Sequence, residues 1–214
     1  IEIVESMLLE QNEINNYVNS FEKVNKPLKV PFGIEKERLL LLPNLDLTKN
    51  ISIHDLLIPI LSRGKANSKL QNRIWTEPSY WPHWTTKKIS PEYRVIAEII
   101  ANLLENAFKY SDKNADIGLL INDYGLYIFD DGAKILEEEK DKIFEKGFRG
   151  LASKQKDGTG VGLYLARKLA RAIKGDLTLI DDLNNINFSK NLHVKNIKYK
   201  NVFFLKIPTE LLQK

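Results

Sequence analysis

Asn102, Asn106 and Lys109 fall in the run IIANLLENAFKYS, residues 99–111, at spacings of four and then three. On a helix those spacings put all three on one face. Beside them Ile96, Ile100, Leu103, Leu104, Ala107 and Phe108 form a broad apolar stripe. Asparagine is a middling helix former whose amide must find partners if it leaves water. Two of them bordering a core stripe either cap loops or face solvent, or else serve something outside the helix. A second chemical stretch is GTGVGL, Gly158 to Leu163, which leads into an amphipathic run. Small residues there free backbone N–H groups to face an anion at a helix N-terminus, or simply make a hinge. No G-x-x-x-x-G-K-[ST] occurs in the sequence, so this is not a Walker loop. The protein-kinase signatures are absent as well.

Other elements must hold these residues in place. DIGLLIND and GLYIFDD, joined through Asp123, Tyr124 and Gly125, read as a hairpin, and the turn DDGAKI follows it. LEEEKDKIFEKGF reads as an acidic helical stretch with a solvated face. The helix after GTGVGL has Gly175 where a C-terminal cap would sit. LTLID and VFFLKIP read as strands joined by a long asparagine- and lysine-rich connection from Leu183 to Asn201. Upstream, Ser52 and Asp55 suggest a helix cap, and the helical pattern continues despite Pro59. IWTEPSYWPHW reads as an extended edge segment whose tryptophans shield core. Ile1 to about Phe21 has near-heptad apolar spacing and reads as a packing or dimer helix. KPLKVPFGIEKER reads as a linker, and LLLLPNLD as either strand or helix.

The chain has 214 residues, of which 43% are hydrophobic and 28% charged. That is ordinary for a globular protein with a core of its own. It has no cysteine, which excludes disulfides and Cys-ligated metal sites and fits a reducing, cytoplasmic setting. Its net charge of +4 is spread thinly, without the pattern of a nucleic-acid binder. No apolar run approaches the roughly 20 residues of a membrane span. Because the chain begins at Ile1, it reads as part of something longer, and a membrane anchor upstream stays open.

The order of these pieces resembles the ATP-binding domain of sensor histidine kinases, within the gyrase/Hsp90/histidine-kinase/MutL superfamily. The resemblance runs from about Ile51 to Pro208. NLLENAFKYS is similar to the family's N box, FDDGAKI to its first glycine box, IFEKGFRG to the phenylalanine-containing box of its ATP lid, and DGTGVGLYLARKLA to its second glycine box. The resemblance implies a two-layer α/β sandwich of Bergerat type. In that fold a mixed, mainly antiparallel sheet lies under helices on one face, and nucleotide is held on the helical side. Residues 1–50 would be an N-terminal helix and linker, the tail of a dimerisation and phosphoacceptor domain. Residues 51–214 would be the catalytic domain.

By the same resemblance Asn106 would coordinate Mg²⁺ through its amide oxygen, Lys109 would offset phosphate charge, and Tyr110 would pack near sugar or base. Asp130 would accept the adenine amine, Gly132 would let the chain turn beneath the base, and Ile135 would give an apolar wall. Gly158, Thr159, Gly160, Val161, Gly162 and Leu163 would surround the phosphates with backbone donors. Arg149 would be the lid cation near the γ-phosphate. Asn102 stands where ATP-hydrolysing relatives carry a glutamate that activates water. An amide cannot act as a general base, which favours phosphotransfer over hydrolysis.

Two departures stand out. Lys134 replaces the second glycine of the first glycine box, where a positive φ would cost lysine on the order of 1 kcal/mol. His54 has an H-[ED]-x-x-x-P skeleton, but it lies only 52 positions before Asn106, too few for a phosphoacceptor hairpin as well. The acceptor histidine is therefore expected upstream of Ile1. The leading reading is a kinase domain that uses ATP and Mg²⁺. Its partners would be a helical phosphoacceptor domain, a response regulator receiver domain and a second copy of the full-length protein. A non-catalytic nucleotide-binding module and a stand-alone ATPase are the alternatives.

Overall fold

The computed structural model describes residues 51–89, 95–153, 156, 158–183, 186, 197–208 and 210. The expected helix at 1–21, the linker, LLLLPNLD and most of the 183–201 connection lie outside the described residues. Within them the order is β1 (Ile51–Ser52), α1 (Ile53–Leu70), β2 (Ile74–Thr76), a 3₁₀ turn (His83–Thr86), β3 (Lys88–Ile89) and α2 (Val95–Tyr110). Then come β4 (Asp116–Asn122), β5 (Gly125–Asp130), 3₁₀ turns at Glu137–Glu139 and Leu151–Ser153, α3 (Gly162–Ala172), β6 (Asp176–Ile180) and β7 (Asn201–Lys206).

The main sheet has the order β2-β4-β5-β7-β6. Only β2–β4 is parallel; the other three pairings are antiparallel. Strand alternation divides its side chains cleanly between two faces. Ile117, Leu119, Ile121, Leu126, Ile128, Phe203 and Leu205 join the three helices in one core. Leu120, Tyr127, Phe129 and Val202 point the other way, where Leu183, Ile186, Ile197 and Tyr199 of the β6–β7 connection cover them. The expected sandwich is present, and its reverse face carries a second, smaller apolar cluster.

Helix α1 starts as its sequence suggests. Ser52 is the N-cap and its Oγ accepts from the Asp55 N–H at 3.0 Å. Ser52 Oγ–H in turn donates to the Asp55 carboxylate at 2.8 Å, which holds that carboxyl below its ordinary range. Pro59 is accommodated inside the helix. Trp84 is buried with its indole N–H on the Asn122 carbonyl, and Trp75 stacks on Phe108, so both tryptophans shield core.

Two expectations are corrected. LEEEKDKIFEKGF is not an α-helix: beyond one 3₁₀ turn at Glu137–Glu139 it is a chain of turns. Ile143, Phe144 and Phe148 dock on the core instead of lining a helix face. Gly147 takes φ +81° and donates its N–H to the Gly160 carbonyl. Nor is Gly175 the left-handed residue after α3. Lys174 takes φ +62°, and the Lys174 and Gly175 N–H groups return to the Arg171 and Ala170 carbonyls as a Schellman closure. Gly175 is glycine for another reason: a Cβ there would lie 2.4 Å from the Lys206 carbonyl oxygen.

Candidate functional site

Helix α2 is the hub. Twelve of its sixteen residues are buried, which fixes its rotation and leaves the Asn106–Lys109–Tyr110 edge only half-buried. Asn102 is 5% exposed, and its Nδ2 donates to the Gly162 carbonyl at 2.9 Å. A Cβ on Gly162 would come within 2.7 Å of Asn102 Oδ1. The glycine at the head of α3 is therefore what lets the two helices meet. One turn later, no described group bonds the amide of Asn106. At the end of α2 the Lys109 ammonium stands over the Tyr110 ring, 5.6 Å from its centroid, and only 3.1 Å from where a Gly158 Cβ would be. Desolvation raises the Tyr110 hydroxyl pKa, against the opposing pull of the nearby Arg149 charge.

The second wall is the turn after β5. Asp130 is 5% exposed, and its Oδ1 accepts from the Gly132 N–H and from Asn201 Nδ2, both at 2.9 Å. Burial raises this carboxyl to about 6. No described residue bonds its Oδ2. Gly132 is required by proximity: a Cβ there would sit 2.6 Å from Asp130 Oδ1 and 2.8 Å from the Tyr110 carbonyl oxygen. Ala133 N–H donates to that same carbonyl, tying the turn to α2. Ile135 is half-buried against the core. Lys134 is exposed and is not among the positive-φ residues, so the strain considered for it does not arise.

The third wall is the glycine-rich segment. Gly158 and Thr159 are exposed, while Val161 and Leu163 are half-buried. Gly160 has φ +70° and packs where a Cβ would meet the Phe148 carbonyl oxygen at 2.6 Å, so glycine is obligatory there. Helix α3 has no acidic residue in its first turn and no side-chain cap, so its N-terminal N–H groups suit an anion. Arg149 stands close enough to Tyr110 for its charge to act on that hydroxyl, and it also binds the lid's own backbone. Its guanidinium donates to the Ser153 carbonyl at 2.5 Å and to the Lys156 carbonyl, which gives it a role in folding the lid. Two residues that sequence reasoning missed also border the site. Lys156 donates to the Lys109 carbonyl and stands 5.5 Å from the Tyr110 ring centroid, and Asn201 holds Asp130. Nothing local marks either one; the pairing of Asn201 with Asp130 appears only once β7 lies beside β5.

His54 is in the first turn of α1, with its ring edge against Trp81 at 4.5 Å. Among the described residues no cluster of three His, Cys, Asp or Glu side chains could hold a metal by itself, and no helix is long and apolar enough to cross a membrane.

The family model described as "Histidine kinase-, DNA gyrase B-, and HSP90-like ATPase" matches residues 92–209, more than half of the chain. The chain belongs to this family. The histidine kinase-, gyrase- and HSP90-like assignment carries ATP binding with it. Sensor histidine kinase Hik2 of Thermosynechococcus vestitus is 32% identical over 131 residues, covering 58% of this chain and 32% of that protein. Histidine protein kinase SaeS of Staphylococcus epidermidis is 31% identical over 159 residues, 70% of this chain and 44% of that one. The chain thus spans less than half the length of these relatives. The catalytic domain of histidine kinase ThkA shares the fold, with a TM-score of 0.53 at 20% identity over 74% of this chain and 95% of that one.

Proposed function

We propose that this chain is the ATP-binding catalytic part of a two-component sensor histidine kinase. It moves the γ-phosphate of ATP to a histidine on a helical dimerisation domain, for relay to the receiver domain of a response regulator. The full-length protein would work as a homodimer on the cytoplasmic side. The observation that carries the reading is the amide of Asn102, spent on the Gly162 carbonyl. A hydrolase needs a group there that takes a proton from water. This side chain instead braces the two helices that flank the phosphates. Phosphoryl transfer asks mainly for positioning and charge neutralisation.

The residues fit nucleotide and metal. Asp130 Oδ2 would accept the adenine amine, with Gly132 and Ile135 beneath and beside the base. Tyr110 would lie along the sugar. The backbone from Gly158 to Leu163, at the uncapped head of α3, would face the phosphates. Lys109 and Lys156, both beside Tyr110, would supply positive charge. Asn106 offers a neutral amide oxygen, a fit ligand for Mg²⁺, which would draw charge from the phosphate oxygens. Arg149 would offer Nε and Nη1 to a γ-phosphate while its Nη2 holds the Ser153 and Lys156 carbonyls, which ties its charge to the folded lid.

Thermal melts with millimolar Mg·ATP test the site. Ligand at a hundredfold excess over Kd stabilises the folded state by about 2.7 kcal/mol, and Asn106→Ala should abolish the rise. Adding the acceptor-bearing helical domain should then give an acid-labile phosphohistidine. Phosphate release by the chain alone at ordinary enzyme rates, on the order of 1 s⁻¹, would overturn the kinase reading in favour of an ATPase.

A further inference from the structure

Asn201 opens β7, directly after the β6–β7 connection, and is 5% exposed. Its register partner across the sheet is Asp130. Both ends of its amide are committed. Nδ2 donates to Asp130 Oδ1 and to the Ala133 carbonyl, and Oδ1 accepts from the Ile135 N–H, all at 2.9 Å. One side chain therefore fastens a buried carboxylate to the turn that follows it. The Gly132 N–H adds a second donor to the same carboxylate oxygen at 2.9 Å.

We propose that Asn201 is the positioning residue for base recognition, holding Asp130 so that Oδ2 is the one acceptor presented to an adenine amine. This rests on reading the Asp130 pocket as the adenine site. With Oδ1 filled by two donors, rotation of the carboxylate would break both bonds, so the orientation is set before any base arrives. Such preorganisation lowers the cost of binding.

The same bond bears on charge. Burial is the largest influence on Asp130 and raises it to about 6, while the Asn201 and Gly132 donors pull it down. Asp131 opposes them and Lys200 assists; these two lie side by side with Lys200 Nζ 3.0 Å from Asp131 Oδ1. Where Gly132 packs toward the end of α2 it meets the Tyr110 carbonyl and the Ser111 hydroxyl, neither of them ionic. A protonated Asp130 would turn an O–H toward the N–H of the base and lose the contact. Removing the Asn201 donor therefore moves the pH at which the pocket stops accepting adenine upward, toward neutrality.

The test is competition against a fluorescent nucleotide across about pH 5.5 to 8.5, with ATP and with purine riboside triphosphate, which lacks the 6-amino group. Wild type should hold ATP with constant affinity above about pH 7 and lose it below about pH 6. Asn201→Leu should bind ATP about tenfold more weakly at pH 7, with its midpoint about one pH unit higher. Its affinity for the amine-free purine should change less than about twofold. Asn201→Thr keeps a donor but cannot span both partners, and its midpoint should fall between the two. Equal weakening toward both nucleotides, or an unmoved midpoint in the threonine variant, would overturn the inference. Wild type that binds neither nucleotide would instead remove the adenine-site reading on which it rests.

Discussion

The side-chain amide of Asn102 donates across 2.9 Å to the carbonyl of Gly162, fastening the middle of α2 to the first residue of α3. The contact is tight from both sides, since a Cβ at 162 would approach Asn102 Oδ1 to 2.7 Å. The residue that bears on kinase against hydrolase thus also holds two helices together.

Asn102→Asp should therefore destabilise the domain by about 1–3 kcal/mol, because a carboxylate would face a carbonyl with no donor between them. Gly162→Ala should cost a similar amount, roughly 1–3 kcal/mol, by forcing the helices apart. Urea titration of both variants measures this, and changes below about 0.3 kcal/mol would show that the contact carries little. Asn102→Glu is expected to unsettle the same junction without restoring hydrolysis at any useful rate.

Asp130 gives a pH dependence with a definite sign. Its folded-state pKa of about 6 lies above the ordinary aspartate value of about 3.8, so the native state binds this proton more tightly than the unfolded chain does. The penalty for ionising it is fully present above about pH 7 and vanishes as pH falls through the folded value toward about 4, a swing on the order of 2–3 kcal/mol. Asp130→Asn should remove this contribution and raise the melting temperature at pH 7. It should also lose ATP, since an amide N–H would then meet the adenine amine. A variant that melts as wild type does at every pH would show that Asp130 is not a buried anion.

The lid is held by charges that reach back to the backbone. Glu139 accepts from the Leu151 N–H at 2.7 Å and from the Leu136 N–H at 3.3 Å, while Arg149 binds the Ser153 and Lys156 carbonyls. Arg149→Ala and Glu139→Gln should each speed amide hydrogen exchange around residues 149–153, while α2 stays protected. In wild type a non-hydrolysable ATP analogue should slow exchange there more than ADP does. Identical exchange with either nucleotide would mean that the lid does not respond to the γ-phosphate.

Lys174 occupies the left-handed position that closes α3, at φ +62°. Its exposed ion pair with Glu210, 2.9 Å long, is of a kind that contributes little. Lys174→Gly should therefore stabilise the fold by about 0.5–1 kcal/mol. Gly175→Ala should do the reverse, because its Cβ would press on the Lys206 carbonyl. Thermal melts of the pair separate the two roles, and a destabilised Lys174→Gly would show that the lysine side chain matters more than its backbone.

The sequence alone determined what depends on near neighbours. The Asn102–Asn106–Lys109 face follows from helical spacing, the β4–β5 hairpin from two short apolar segments around the Asp123–Tyr124–Gly125 turn, and the Ser52 cap from a hydroxyl three residues ahead of an acid. The glycines of GTGVGL and DDGAKI were legible as places where backbone must come close. Which atoms they approach was not, because those atoms belong to Asn102, Tyr110, Gly147 and Phe148, far away in the chain. Tertiary structure decided the rest. The acidic run 136–148 has helical composition, yet burying Ile143 and docking Phe144 and Phe148 outweighs its propensity and leaves turns. Lys174 rather than Gly175 takes the left-handed position, and Gly175 is glycine because the Lys206 carbonyl leaves no space for a Cβ there. Arg149, expected as a lid cation, also binds two lid carbonyls that only the folded loop brings together. Asn201 lies 71 residues from Asp130, and no local pattern marks it. Its role exists only because the sheet order places β7 against β5, where a buried carboxylate must be given donors.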